Sequence, residues 1–84
     1  MVKYFAAAEW PEGQEREFER ENDYDVISTR KADIRKFAKQ AVKDGVINVD
    51  VYFESKDELG KVFGWCGYFS KDNPNGTDPL GKNF

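Results

Sequence analysis

The feature that most constrains this chain is a change of hydrophobic period across Gly45. Before it, Ile34, Phe37, Ala38, Ala41 and Val42 recur at i, i+3, i+4, i+7 and i+8, which gathers them on one stripe of a helix. After it, Ile47, Val49, Val51 and Phe53 alternate with Asn48, Asp50, Tyr52 and Glu54, the period of a strand with one buried face. Ser28 or Thr29 stands where a cap belongs, and Gly45 suits a left-handed stop after Asp44. A helix joined so directly to a strand over residues 46–55 has one simple packing. Its apolar stripe lies on the apolar face of a sheet, with Phe37 wedged between the two layers.

Other strands complete that sheet. Residues 2–10 read as a strand ended by the turn signal Trp10-Pro11-Glu12-Gly13. From residue 14 to 21, Glu15, Glu17, Glu19 and Glu21 share one parity, while Arg16, Phe18 and Arg20 share the other. A helix there would bury only Phe18, so the spacing predicts a strand folding back on the first, with Ala8 opposite Arg16, Ala6 opposite Phe18 and Tyr4 opposite Arg20. A loop through Asp57 and Gly60 leads to a last strand over residues 61–69. Residues 70–84 are rich in Asp, Asn, Gly and Pro, and they read as a loop-like tail pinned by Leu80 and Phe84. The predicted class is α+β: a small antiparallel sheet, β-β-α-β-β in sequence order, with one amphipathic helix packed on one face. At 84 residues the expectation is one domain over 1–69 plus the tail, its core built on seven Phe, four Tyr and two Trp.

Several kinds of chemistry drop out. The chain has no histidine, so it holds no His base and no Ser-His or Cys-His pair. Cys66 is the one cysteine, which excludes an internal disulfide, fits a reducing, cytoplasmic setting and reads as a small buried hydrophobe. The run Asp72-x-x-Asn75-Gly76-x-Asp78 lacks the closing glutamate of a calcium loop, because position 83 is Asn. Asn75-Gly76-Thr77 fits a glycosylation sequon but reads as a turn. The apolar start is too short for a signal peptide and no stretch suits a membrane span. The expectation is a non-enzymatic protein with no metal, no cofactor and no membrane contact.

The net charge of −3 conceals a segregation. Residues 1–28 carry −5, the helix segment 29–45 carries +4 through Arg30, Lys31, Arg35, Lys36, Lys39 and Lys43, and residues 46–84 carry −2. A helix on one sheet face sends its lysines to solvent on one side. The glutamate run, Asp50 and Glu54 then point away on the other. Such a dipole can steer the acidic side onto a basic partner. Four like charges on one strand face also repel one another.

The last strand is apolar on both parities: Phe63, Trp65 and Phe69 on one, Val62, Cys66 and Tyr68 on the other. Pairing Glu54 with Lys61 sets Phe53 beside Val62, Val51 beside Gly64 and Val49 beside Cys66, and leaves Tyr52, Phe63 and Trp65 on the outer face with Asp50. A slip of one residue buries Phe63 and Trp65 instead. With Lys61 in a basic slot, Gly64 in a small one and Phe63, Trp65 and Tyr68 in aromatic ones, this segment resembles the RNP1 motif of RNA-recognition-motif domains. The preceding helix, Gly45 and strand resemble that family's first helix and second strand. The resemblance implies base stacking by Phe63 and Trp65, with Lys61 on phosphate. It spans the middle half of the chain and departs from the motif at Val62 and Cys66, and neither a second helix nor a fourth strand follows.

The functional expectation is a protein–protein interaction domain. Its candidate contact residues are Glu15, Glu17, Glu19, Glu21, Asp50, Tyr52, Glu54, Phe63 and Trp65, and its partner a protein with a basic surface. Small size, an acidic sheet face and exposed rings are common in phage-encoded inhibitors of the anti-CRISPR or anti-restriction kind, which occupy a basic or nucleic-acid-binding surface of their target. The alternatives are a single-stranded RNA-binding module and an orphan subunit whose aromatic face makes a homodimer or larger homo-oligomer.

Overall fold

The computed structural model describes residues 2–11 and 24–84. These form strands β1 (Val2–Glu9) and β2 (Val26–Ser28), helix α1 (Lys31–Lys43), and strands β3 (Asn48–Asp57), β4 (Gly60–Ser70) and β5 (Asn73–Thr77). The strands make one antiparallel sheet in the order β2-β1-β3-β4-β5. The helix covers one face, and the α+β class holds.

The helix ends as its sequence dictates. Gly45, at φ +98°, donates to the Val42 carbonyl at 3.2 Å, and Val46 N–H donates to the Ala41 carbonyl at 3.2 Å. This pair of bonds is a Schellman stop, which needs a residue at ease in the left-handed region. At the other end the cap position falls to Arg30, in extended conformation and with no side-chain cap bond, rather than to Ser28 or Thr29 as expected. Ser28 stands just outside the helix and ties it down. Its Oγ accepts from Arg30 N–H at 3.1 Å and donates to Asp33 Oδ2 at 2.7 Å.

The core lies between α1 and the inner face of the sheet. Ile34, Ala38 and Ala41 from the helix meet Ala6 and Ala8 of β1, Val49 and Val51 of β3 and Phe69 of β4. Phe37, expected as the wedge, is only half-buried at the edge of this core, and Ile34 takes the central position. Ala6 and Ala8 of β1 and the helix alanines Ala38 and Ala41 bring the two layers close, so the larger core side chains come from Ile34 and from Phe69 of β4. Ile47 precedes β3 and is 54% exposed, so the buried parity of that strand starts at Val49.

Further differences concern the strand beside β1, the tail and the Asn-Gly turn. The strand predicted over residues 14–21 lies outside the described residues; the strand paired beside β1 is Val26–Ser28, with Ala6 opposite Val26 and Tyr4 opposite Ser28. The loop-like tail contains β5, and Phe84 is a core residue, its ring 5.3 Å from that of Phe69. Phe84 N–H donates to the Gly76 carbonyl at 3.2 Å, and Arg35 donates to the Phe84 carbonyl at 3.2 Å. Asn75-Gly76-Thr77, read as a turn, is strand. Gly76 sits there at φ +81° because a Cβ would fall 2.5 Å from the Phe69 ring, so the glycine serves packing rather than chain reversal.

The β3–β4 register decides which aromatics are inside. Glu54 pairs with Phe63 and Phe53 with Gly64, rather than with Lys61 and Val62 as expected. This offset keeps parity, so Phe63 and Trp65 stay on the face away from the helix. Tyr52 then pairs with Trp65 while Val51 pairs with Gly67, which leaves Cys66 as the extra residue of a β-bulge. Beyond it the parity of β4 is inverted. Phe69, on the parity of Phe63 and Trp65 in sequence, turns into the core opposite Val49, and Tyr68 turns outward opposite Asp50.

Candidate functional site

The sheet face opposite α1 carries an aromatic surface built from three strands and Tyr24, just before β2. Phe5 of β1 packs against Tyr24 at 4.9 Å between ring centroids and against Phe63 of β4 at 5.7 Å. Tyr52 of β3 stacks on Phe63 at 5.7 Å with planes 10° apart, and touches Tyr24 edge-on at 6.0 Å. Alternation along each strand places these rings on one face: Phe5 stands directly opposite Tyr52, and Phe63, opposite Glu54, lies diagonal to Tyr52. Phe5 is buried within this layer, whereas Phe63 keeps 49% of its surface open. Burial pushes the Tyr52 hydroxyl above its ordinary pKa, and Asp50 and Tyr24 add to the shift in the same direction.

A second pair lies beyond the bulge. Trp65 and Tyr68 stack at 6.1 Å with planes 15° apart, and Trp65 is 40% exposed. The Trp65 indole N–H donates to Asp50 Oδ1 at 3.2 Å, so the carboxylate fixes the ring it lies beside. Without the bulge Tyr68 would face the helix and the pair would not exist.

The charges on this face differ in their partners. Glu54 accepts an ion pair from Lys61 Nζ at 3.6 Å, and Lys3 of β1 stands across from it. Asp50 makes no ion pair among the described residues. Of the residues singled out from sequence, Asp50, Tyr52, Glu54, Phe63 and Trp65 therefore meet on one surface. Glu15, Glu17, Glu19 and Glu21 lie outside the described residues. The surface also holds Phe5, Tyr24, Tyr68 and the 55%-exposed Ile27, which sequence reading missed. Phe5 was legible from its alternation with Tyr4 and Ala6. Tyr24 sits in a stretch with no period, and Tyr68 needed the bulge.

The other chemistry-bearing groups are dispersed. Cys66, at the bulge, is half-buried, and burial pushes its thiol up to about 11, with Lys31 working weakly against that. Such a thiol is a poor nucleophile at neutral pH. Asp78, the last acid of the calcium-like run, accepts from the Leu80 and Lys82 N–H groups at 2.9 Å each, which closes a turn. Among the described residues no cluster of acids and cysteine has the makings of a metal site, and no helix is long and apolar enough to cross a membrane. Comparison with protein-family models, curated proteins and solved structures finds no match for this chain.

Proposed function

We propose that this domain is a non-enzymatic protein-binding module whose contact surface is the aromatic sheet face opposite the helix. One observation carries the reading: Phe63 and Trp65 are held in ordered stacks, yet each leaves close to half its surface open. Rings pre-ordered in this way offer large apolar contact at little entropic cost, which is how the central residues of protein interfaces contribute. The acids around them favour a protein with a basic surface. A domain seated on such a surface would block nucleic acid from it, the mode of action expected of an anti-CRISPR or anti-restriction inhibitor, and that role belongs to the same proposal.

The face suits RNA less well. Its Lys61 is engaged by Glu54, and Asp50 lies at the N–H edge of the Trp65 ring, where a phosphate backbone would meet a negative charge. The test is a partner isolated by affinity from the native host with ribonuclease treatment, identified and purified, then titrated calorimetrically. Phe63→Ala and Trp65→Ala should each weaken the complex at least tenfold while melting within a few degrees of wild type. Undiminished binding by both variants refutes the reading. So does salt-sensitive binding of single-stranded RNA that Trp65→Ala abolishes without a change in melting.

A further inference from the structure

The two carboxylates of the aromatic face are in different states. Glu54 is compensated by Lys61 at 3.6 Å. Asp50 is not: it spends Oδ1 on the Trp65 indole N–H and faces no cation among the described residues. Its cross-strand neighbours are Tyr68 on one side and Ala7 on the other. Ala7 contributes only a methyl group, so the β1 side of Asp50 is not walled by a long side chain. Glu9, two positions along the same face of β1, adds a second negative charge nearby. The result is a carboxylate with no ion pair among the described residues, bordered by two near-parallel rings, one of which it holds in place.

We propose that Asp50 with the stacked Trp65–Tyr68 pair is the seat for an arginine side chain of the protein partner. The inference rests on the protein-binding reading and names the chemistry at its centre. A guanidinium is planar, so it can lie against the partly exposed indole–phenol stack while an N–H donates to the other carboxylate oxygen of Asp50, Oδ2. Lysine offers a compact, strongly hydrated ammonium that gains from the charge but not from the stacking. Asp50 then serves twice, orienting the indole through one oxygen and receiving the cation through the other. The bulge at Cys66 is what brings Tyr68 to the site, so the irregularity in β4 acquires a purpose.

The probe is an acetylated, amidated tripeptide with a central arginine between glycines, titrated into the intact domain and followed by the NMR signal of the Trp65 indole N–H. Trp65→Phe assigns that signal apart from Trp10. Saturable binding in the millimolar range is expected, at least about fivefold tighter than for the lysine counterpart and absent for the citrulline one, which keeps the shape but not the charge. Asp50→Asn should weaken the arginine peptide at least about fivefold without altering the other amide signals. Equal shifts with arginine, lysine and citrulline overturn the proposal on the wild-type protein alone. Retention of the arginine preference in Asp50→Asn overturns it as well, as does a single-stranded oligonucleotide that occupies the same indole more tightly than the peptide. If the arginine preference fails while Phe63→Ala still abolishes the partner complex, this inference falls and the protein-binding surface stands. If the complex survives both ring deletions, the broader reading falls first.

Discussion

Gly76→Ala is the sharpest test of how the C-terminal strand is joined to the core. The backbone there has φ +81°, where an L side chain costs about 1–2 kcal/mol. The added methyl would also lie 2.5 Å from Cζ and 2.6 Å from Cε2 of Phe69, and 2.8 Å from Cβ of Phe84. Neither ring has an easy retreat, since Phe69 is fully buried and Phe84 nearly so. Overpacking of this kind costs about 1–3 kcal/mol. The two effects together come to about 2–5 kcal/mol, against a total stability of roughly 5–15 kcal/mol for a small domain. Melting should fall by about 8 °C or more. Gly81→Ala is the matched control, because Gly81 has φ +82° with nothing within 4 Å of the added carbon. It should show only the backbone cost of about 1–2 kcal/mol. Urea titrations followed by tryptophan fluorescence measure both. Losses equal within about 0.5 kcal/mol would refute the packing of Gly76 against the two rings, and with it the place of residues 73–84 in the core.

Other expectations follow from burial and charge. Ile34→Ala should cost about 2–5 kcal/mol in urea melts and exceed Phe37→Ala, whose ring is half-buried; the reverse order would put the wrong side chain at the centre. Cys66 should be alkylated at pH 8 about a hundredfold more slowly in the folded protein than in urea, since its pKa is raised to about 11. The folded state holds that proton more tightly, so the thiol's contribution is fully present below its unfolded pKa and is lost as pH rises toward about 11; stability independent of pH across that window would contradict the burial. Glu54→Gln breaks the pair with Lys61 and should change stability by less than about 1 kcal/mol, measured by thermal melting, because the lysine end is exposed; a larger loss would make the pair structural.

Local patterns were enough for the parts of this protein that local physics decides. The helix from Lys31 to Lys43, its stop at Gly45 and the buried parity of Val49 and Val51 all follow from period and from one residue's tolerance of positive φ. The α+β class and the layer arrangement follow in turn, because a helix stripe and a strand face joined by a single turn must cover each other. The strand at Asn73–Thr77 was not legible. Its sequence is made of turn formers, and it becomes a strand because β4 offers an edge and Gly76 lets Phe69 and Phe84 close over it. Nor could periodicity choose among the rings of β4, where both parities are apolar. That choice belongs to pairing with β3, a contact between residues distant in sequence. One extra residue at Cys66 sends Phe69 inward and Tyr68 outward, while Phe63 and Trp65 remain on the open face. A strand's side chains alternate with period two, so a single inserted residue exchanges core for surface in everything beyond it, and only the folded sheet determines where that residue falls.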